Sequence, residues 1–356
     1  MSKRVTIKDI AREAGVSHST VSRALARDPR ISDATRERII RIAQTLGYER
    51  NELARALIRG ALKAIGIVIP DITNPFLAEI ARGVSNAADQ EGYGLVVCNT
   101  DRKEEKELEA IQLLRRMRVP GLILASIGSN PPYLDMLKKL DTPYILVSRI
   151  CPALDASYVV IDDENGARIA TEHLVSLGHK HIAFIGGSPD LKTTQDRVRG
   201  YKKALSKYGL PENPNWICLT GSTQAAGREA ARQILLNSPR PTAILAENDI
   251  TAIGVMETAD AIGLAIPRDL SLVGFDDISY SSLPRIQLTT VAQPAVEMGQ
   301  AAAKWLIEAI ENRSHSELHL VLPPRLVVRA STAAPPPNKR SSSFREKKSQ
   351  GPQKPR

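Results

Sequence analysis

From residue 64 onwards, short apolar runs alternate with segments of helical periodicity, and this alternation limits the possible folds more than any other feature of the chain. The segment from Leu77 to Ala88, for example, has apolar residues at i, i+3, i+4 and i+7 and stops near Gly92. Repeated strand–helix units predict a parallel sheet covered on both faces, and two similar halves predict paired α/β lobes. The nine predicted strands are Ala64–Pro70, Leu95–Cys98, Gly121–Ser126, Tyr144–Ser148, Tyr158–Ile161, Ile182–Gly186, Ala243–Ala246, Leu270–Phe275 and Leu288–Val291.

Residues 5–47 have a different pattern, which predicts three short helices. Thr6, Ser17 and Ser32 each precede a run of helical periodicity, at the N-cap position that short hydroxyl side chains favour. Gly15 ends the first helix, because glycine adopts the left-handed conformation of a sharp turn without steric cost. A helix, a tight turn and a second helix are typical of the helix-turn-helix motif.

Charge is distributed unevenly over the 356 residues, whose formal net charge is +9. Residues 1–60 carry 13 Lys and Arg against 7 Asp and Glu, and residues 334–356 carry 7 against 1. The central part, residues 61–333, is slightly acidic, with 28 against 31. A basic head on a neutral-to-acidic core indicates a polyanionic partner at the head. Residues 333–356, rich in Pro, Ser and basic residues, predict a disordered tail.

Several classes of protein are disfavoured by what the sequence lacks. It contains no apolar run of membrane-spanning length, and its N-terminus has no apolar signal region, so we expect a cytoplasmic protein without membrane contact. The three cysteines fit neither a disulfide framework nor a zinc site. No phosphate-binding loop, nucleophile elbow or metal-ligand cluster is present. We therefore predict no enzyme, no cofactor and no metal.

Two stretches of sequence carry a resemblance to a known family, the LacI/GalR family of bacterial repressors. In the head the matching residues are Val5–Ala11, Ala14–Ser17, Thr20–Arg23, Leu25, Thr35-Arg36, Arg38-Ile39, Leu46–Tyr48, Asn51, Ala54-Arg55 and Leu57. Downstream they are Ile65–Val68, Asn74–Phe76, Ile161–Asp163, Gly166, Leu177–His179, Ile182 and Ser271–Asp276. The resemblance covers residues 5 to about 331 and implies a helix-turn-helix domain in front of a two-lobed core similar to the periplasmic binding proteins.

A recognition helix presents its first residues to base edges in the major groove of DNA. The second predicted helix begins at Ser17, so His18, Ser19 and Arg23 project from its first turns. The resemblance implies that these three read bases, and a purely solvent-exposed role for His18 is the alternative. The full set expected to contact DNA from the head is Thr6, Ser17, His18, Ser19, Thr20, Ser22 and Arg23.

Residues 51–60 predict a hinge helix that is too short to be stable alone in water. Leu57 has no evident core to join, and apolar side chains are known to wedge between base steps in the minor groove. The resemblance implies this role for Leu57, with Asn51, Ala54 and Arg55 also at the DNA. Packing of Leu57 against the core is the alternative.

Polar residues follow several predicted strands, where open α/β sheets bind their ligands. The resemblance implies that Phe76 is an apolar wall and that Arg197, Asn248 and Asp276 bind the effector. We favour helix capping for Asp249 and Asp277, and also for the pair Asp162-Asp163 at a lobe boundary. The full set expected to contact the effector is Asn74, Phe76, Arg149, Thr193, Arg197, Asn248 and Asp276.

The effector itself is expected to be a neutral or acidic sugar, or a polyol. Relatives with a purine effector tend to have an Arg where Leu191 or Lys192 stands here, which disfavours a purine. Neither the direction of the response, induction or co-repression, nor the operator sequence follows from the sequence.

The expected domains are residues 1–50 for DNA binding, 51–60 for the hinge and 61–332 for the effector-binding and dimerisation core. The N-terminal lobe is expected over about 61–161 and 292–322, and the C-terminal lobe over about 162–291 and 323–332. The mechanism implied is a homodimer on a pseudo-palindromic operator, whose effector moves the lobes and thereby the hinge helices. The protein is expected to be a repressor of a carbohydrate-utilisation operon.

Three alternatives remain open. A global catabolite-type regulator would use a phosphocarrier protein as co-repressor, bound on a lobe surface, and its cleft would be nonessential. A sugar-binding protein without DNA binding would share the lobes, but the attached helix-turn-helix argues against it. An enzyme on the same scaffold is the weakest alternative, because the catalytic motifs are missing.

Overall fold

The computed structural model describes residues 5–25, 28–48, 62–128, 130–312 and 316–336. The chain divides after residue 62 into a small N-terminal unit and a large C-terminal unit. The small unit contains α1 (Ile7–Ala14), α2 (His18–Leu25) and α3 (Asp33–Thr45), as the capping pattern predicted. Ile10, Val21 and Ile39 are fully buried at its centre.

The large unit contains two six-stranded sheets. Each sheet together with the helices that cover it forms one lobe, and we call the two the N-terminal lobe and the C-terminal lobe. The N-terminal sheet has the order β11-β5-β4-β3-β1-β2, from β1 (Ala64–Ile69), β2 (Gly94–Asn99), β3 (Leu122–Leu124), β4 (Tyr144–Val147), β5 (Tyr158–Ile161) and β11 (His319–Leu322). The C-terminal sheet has the order β12-β10-β9-β8-β6-β7, from β6 (Ile182–Ile185), β7 (Ile217–Cys218), β8 (Ala243–Ala246), β9 (Ser271–Asp276), β10 (Thr289–Ala292) and β12 (Arg325–Val327). All pairings are parallel except that of β12 with β10.

Helices connect the strands and cover the sheets. They are α4 (Pro75–Gln90), α5 (Glu104–Arg116), α6 (Pro131–Lys138), α7 (Asp163–Ser176), α8 (Lys192–Lys207), α9 (Gln224–Leu235), α10 (Asp249–Ala261) and α11 (Ala295–Asn312). The strands β1, β8 and β9 are buried along their whole length, as expected for parallel strands covered on both faces. The predicted fold class, a two-lobed parallel α/β core behind a helix-turn-helix domain, is confirmed.

The chain passes between the two sheets at three places. These lie between β5 and α7, between β10 and α11, and between β11 and β12. Helix α7 packs against α8 in the C-terminal lobe, whereas α11 returns to pack against α4 in the N-terminal lobe. Each lobe is therefore built from separate stretches of the sequence, and three connections join them.

The nine predicted strands are all present, but the structure adds β7, β11 and β12. Strand β7 has only two residues, and β11 and β12 are partly exposed edge strands next to prolines. The apolar runs at β11 and β12 are only three residues long and flank two prolines, and β7 itself has two residues, so the pattern that identified the buried strands did not reveal them.

The predicted tail boundary at residue 333 was placed too early. The carbonyl of Ala333 accepts hydrogen bonds from Ser271 Oγ and lies 2.8 Å from His179 Nε2. A few backbone contacts suffice to hold residues 333–336 on the C-terminal lobe, although their composition is that of a linker. The rest of the tail, residues 337–356, and the predicted hinge with Asn51, Ala54, Arg55 and Leu57 lie outside the described residues.

Candidate DNA-binding surface and effector cleft

Helix α2 separates its residues into a buried and an exposed face. Val21 and Ala24 are buried against the other two helices of the small unit. His18, Ser19, Ser22 and Arg23 are exposed, as their positions between the buried residues require. The polar side chains expected to read DNA therefore lie together on an accessible helix surface.

Ser17 begins this helix as its N-cap. Its Oγ accepts a hydrogen bond from the backbone N–H of Thr20 at 3.1 Å and lies 2.7 Å from Ser19 Oγ. Thr6, which is exposed, has a similar local role at the start of α1, where its backbone N–H and hydroxyl both donate to Asp9 Oδ2. The hydroxyls of Ser17 and Thr6 thus stabilise helix starts, and contacts to phosphates would be an additional function.

Two arginines of the head motif stabilise the fold of the small unit. Arg38 Nη2 donates to the carbonyl of Ala14 at 3.0 Å, across the turn between α1 and α2. Arg36 Nη2 donates to the carbonyl of Ile31 at 2.9 Å. Basic residues in a DNA-binding head are therefore not interchangeable, because some of them satisfy backbone carbonyls that the turns leave unpaired.

In the large unit, a cavity of ≈ 290 Å³ lies between the carboxyl ends of the two sheets. This is the position where open parallel sheets bind ligands. The N-terminal lobe contributes the larger part of its lining, including Glu104, Glu107, Ser126 and Arg149; the remaining N-terminal-lobe residues are Pro70, Arg102, Ile127 and Gly128. The C-terminal lobe contributes Ser188, Asp190, Leu191, Gly221 and Ser222.

Arg149 follows β4 and spans the cleft. Its Nη1 donates a hydrogen bond of 3.0 Å to Thr193 Oγ1 at the start of α8, so the two expected effector residues join the two lobes. Burial lowers the pKa of the Arg149 guanidinium, and the nearby carboxylate of Glu247 opposes this effect. Ser148 beside it has a φ of 56°, a left-handed conformation that directs the chain out of the strand.

Arg197 is held on several sides in the C-terminal lobe. Its Nε donates to Asp163 Oδ1 at 2.8 Å, its Nη1 donates to the carbonyl of Glu247, and its guanidinium carbon lies 3.7 Å from the centre of the Phe275 ring. Burial acts to lower the pKa of Arg197, but the carboxylates of Asp163, Asp276 and Glu247 outweigh it and raise the pKa. The planar guanidinium is thereby fixed in one orientation before any ligand binds.

Asp276 ends β9 in an unusual environment. It is buried, its φ is 118°, and its Oδ1 accepts a hydrogen bond of 2.6 Å from Gln293 Nε2. Burial raises the pKa of its carboxyl group well above the ordinary value, although Arg197 acts in the opposite direction. A carboxylate on a strained backbone position, beside a fixed guanidinium, is the arrangement expected of a ligand-binding pair.

The two expected effector asparagines both cap helices. Asn74 Oδ1 accepts from the N–H of Phe76 at 3.1 Å, and Asn248 Oδ1 accepts from the N–H of Thr251 at 2.8 Å. The capping hydrogen bond uses one acceptor position of each amide oxygen, and Asn248 Nδ2 already lies 3.4 Å from the carbonyl of Ser222. Phe76 is buried in the core of the N-terminal lobe, and of the seven expected effector residues only Arg149 is among those that line the cavity.

The capping role expected for Asp249 is wrong, because Asn248 is the cap. Asp249 is fully buried and accepts hydrogen bonds from Ile278 N, Ser281 Oγ and Thr290 Oγ1. Desolvation raises the pKa of this carboxyl group to about 6. Its side chain turns back across the sheet, where three donors compensate for its burial.

The capping role expected for Asp277 is also wrong, since its carboxylate pairs with Arg329 Nη2 at 2.6 Å. Of Asp162 and Asp163 at the lobe boundary, only Asp162 has the expected capping role. Asp162 caps α7 through the N–H of Asn165, whereas Asp163 binds the guanidinium of Arg197.

Sequence reasoning missed Glu107, Ser126 and Glu247. Glu107 occupies the buried stripe of α5 that continues through Ala110 and Ile111. Assigning each position of the helix to its apolar or polar face would have identified Glu107 as a carboxylate on the apolar face.

Comparison with known proteins agrees with this architecture. Residues 6–51 match the family described as bacterial regulatory proteins, lacI family, and residues 171–332 match the periplasmic binding protein-like domain. Catabolite control protein A of Priestia megaterium is 35% identical over 329 residues, covering 92% of this chain and 99% of the relative. The chain belongs to the LacI family of bacterial regulatory proteins.

Other members of the LacI family match over a similar length. GalR of Escherichia coli is 33% identical, covering 93% of this chain and 96% of the relative. The lac repressor dimer bound to operator and the anti-inducer ONPF matches with a TM-score of 0.82 and 28% identity, covering 93% of this chain and 100% of that one. A complex of the regulator CelR with cellobiose matches with a TM-score of 0.71 and 30% identity, covering 92% and 100%.

This LacI-family protein is a DNA-binding transcriptional regulator, and its relatives are regulators rather than enzymes. Within the described residues no helix has the length and apolar character needed to cross a bilayer. The same residues contain no group of three or more potential metal ligands.

Proposed function

We propose that the protein is a cytoplasmic repressor of a carbohydrate-utilisation operon that binds a pseudo-palindromic operator as a homodimer. The observation that carries the proposal is the exposed polar surface of α2, formed by His18, Ser19, Ser22 and Arg23, in a chain of the LacI family. The operator-bound lac repressor dimer supports both the partner and the oligomeric state. The protein has no enzymatic activity in this proposal.

A small sugar-like effector binds in the cleft in this proposal. The CelR–cellobiose complex supports the ligand class, and the hydrogen bond between Arg149 and Thr193 supports the position, because a ligand there touches both lobes. A ligand that favours one arrangement of the lobes shifts the equilibrium between them and so changes the affinity for DNA. The residues expected to bind it are Asn74, Phe76, Arg149, Thr193, Arg197, Asn248 and Asp276.

The test is selection of genomic DNA fragments by the purified full-length chain, with and without a panel of sugars. A pseudo-palindromic site whose occupancy changes with one sugar supports the proposal, and the genes beside the site identify the pathway. Failure to enrich any sequence under any condition contradicts it.

A second candidate is a global regulator that uses a phosphocarrier protein as co-repressor, favoured by the similarity to catabolite control protein A. Substitution of cleft residues distinguishes the two functions. Arg149→Ala and Thr193→Val weaken the response to a sugar effector, whereas a response to a protein bound on the lobe surface is unaffected by either change.

A further inference from the structure

Two carboxylates on the N-terminal-lobe side of the cavity have oxygen atoms without a hydrogen-bond partner. Glu104 and Glu107 lie one helical turn apart at the start of α5, and both line the cavity. Among the described residues, the buried Oε1 of Glu104 and the buried Oε2 of Glu107 have no partner. Buried carboxylate oxygens are costly to leave unpaired, so this wall is incomplete without a donor.

Glu107 is held firmly in this position. Only 4% of its surface is exposed, and Ser126 Oγ donates a hydrogen bond to its Oε1. Its other oxygen lies beside the buried Tyr133 hydroxyl, which completes no hydrogen bond of good geometry with it. Burial raises the pKa of the Glu107 carboxyl group, and the nearby Glu104 adds to this effect, while the hydroxyls of Ser126 and Tyr133 and the charge of Arg149 oppose it.

The cations around the cleft are engaged elsewhere. Arg149 Nη1 donates to Thr193, the Arg197 guanidinium binds Asp163, and Arg102 lies 3.5 Å from the carboxylate of Asp71. Within the described residues neither Glu104 nor Glu107 forms an ion pair, although the charge of Arg149 acts on Glu107 from a distance.

The C-terminal lobe adds acceptor capacity. Glu247 is 4% exposed and its buried Oε2 has no hydrogen-bond partner, while Oε1 accepts from Thr194 at 3.1 Å. Burial raises the pKa of the Glu247 carboxyl group. Buried carboxylate oxygens without a hydrogen-bond partner are therefore present in both lobes, although Glu247 is not among the residues that line the cavity.

We propose that the effector is a polyhydroxylated ligand that carries a protonated amine, with Glu104 and Glu107 as the ammonium site. This inference rests on the proposed effector function and makes its ligand class more specific. An ammonium group has N–H donors and no acceptor, so it supplies what the two carboxylates lack, and its charge strengthens both hydrogen bonds. A phosphorylated or acidic sugar would place an anion against this wall. The proposal therefore predicts an amino sugar in place of the neutral or acidic sugar or polyol expected from the sequence.

The test is calorimetric titration of the full-length protein with matched sugars, at a pH where the amine is protonated. Three pairs differ only in one group: glucosamine and glucose, galactosamine and galactose, mannosamine and mannose. N-acetylglucosamine and glucuronate supply the neutral amide and the anion. At least one amino sugar is expected to bind tenfold or more tightly than its hydroxyl counterpart, with no measurable binding of glucuronate.

Glu104→Gln and Glu107→Gln keep the size of the side chain and remove its charge. Each is expected to reduce the amine preference about tenfold, with little change in affinity for the hydroxyl counterpart. Glu105→Gln, an exposed carboxylate on the same helix, is the matched control and leaves the preference unchanged.

Equal or weaker binding of every amino sugar, including absence of binding by all of them, overturns the inference. So does a Glu107→Gln variant that changes thermal stability while keeping the amine preference, because Glu107 then has a structural role only. The proposed function fails by a different observation, the absence of a selected DNA site under every condition, with or without sugars, so the two failures are distinguishable.

Discussion

Arg149 Nη1 and Thr193 Oγ1 lie 3.0 Å apart and connect the end of a strand in one lobe to the start of a helix in the other. The two residues are 44 positions apart in the sequence, and Arg149 also lines the cavity in which the effector is proposed to bind. A ligand that inserts between them must replace this bond with bonds of its own.

Thr193→Val is expected to change the effector affinity of the protein roughly fivefold to 150-fold while leaving the fold intact. It removes a hydrogen bond to a charged group, a contribution of about 1–3 kcal/mol, without changing the side-chain volume much. Titration with the effector measures the change. Thr251→Val is the matched control, because the buried Thr251 hydroxyl has no partner among the described residues. Equal affinity in wild type and Thr193→Val would show that the contact has no part in ligand binding.

His18→Ala and Arg23→Ala are each expected to weaken operator binding and to relax sequence preference at one base position. A bidentate base contact contributes about 1–3 kcal/mol of discrimination, which corresponds to roughly fivefold to 150-fold in affinity. Fluorescence anisotropy with operator and scrambled DNA separates this loss from a uniform loss of phosphate contacts. Arg41→Ala, an exposed basic residue on α3, is the control. A variant of α2 that retains full discrimination contradicts the proposed orientation of the helix on DNA.

Arg197→Met is expected to destabilise the protein by about 3–5 kcal/mol, because it leaves Asp163 buried without its cation. Adding Asp163→Asn is expected to recover part of this loss. Urea denaturation of the single and double variants measures the coupling. Arg268→Met, in an exposed ion pair with Asp269, is the control and is expected to have little effect. Independent, additive effects of the two substitutions would refute the pairing.

Buried Asp249 is expected to make stability fall as pH rises between about 4 and 6. Its folded-state pKa, about 6, is above its ordinary value of 3.8, so the folded protein binds more protons than the unfolded chain in this window. Ionisation on raising the pH therefore costs the folded state more than the unfolded one. Denaturation at a series of pH values should show a shallower dependence in Asp249→Asn than in the wild type. An unchanged slope would mean that another group is responsible.

Much of the fold was predictable because its determinants are local. The caps at Thr6, Ser17 and Ser32 and the turn at Gly15 are encoded within a few residues, and the buried strands are continuous apolar runs. Strand β7, with two residues, carries too little sequence to form a pattern.

The cleft was less predictable because its contacts join distant residues. Which of two adjacent residues caps a helix depends on tertiary partners, as Asn248 and Asp249 show. The position of Glu107 beside Ser126 likewise depends on how α5 packs against β1 and β2, which the composition of the helix does not reveal. Sequence patterns located the strand ends, but only the fold assigned the roles of the side chains there.

The last two strands, β11 and β12, complete different sheets from neighbouring positions near the end of the described chain. During synthesis, therefore, neither lobe has all its strands until the ribosome has passed almost the whole coding sequence. A premature stop before His319 would remove an edge strand from both lobes at once. Late nonsense mutations in this gene should consequently be as damaging as early ones, despite sparing nearly all of the protein.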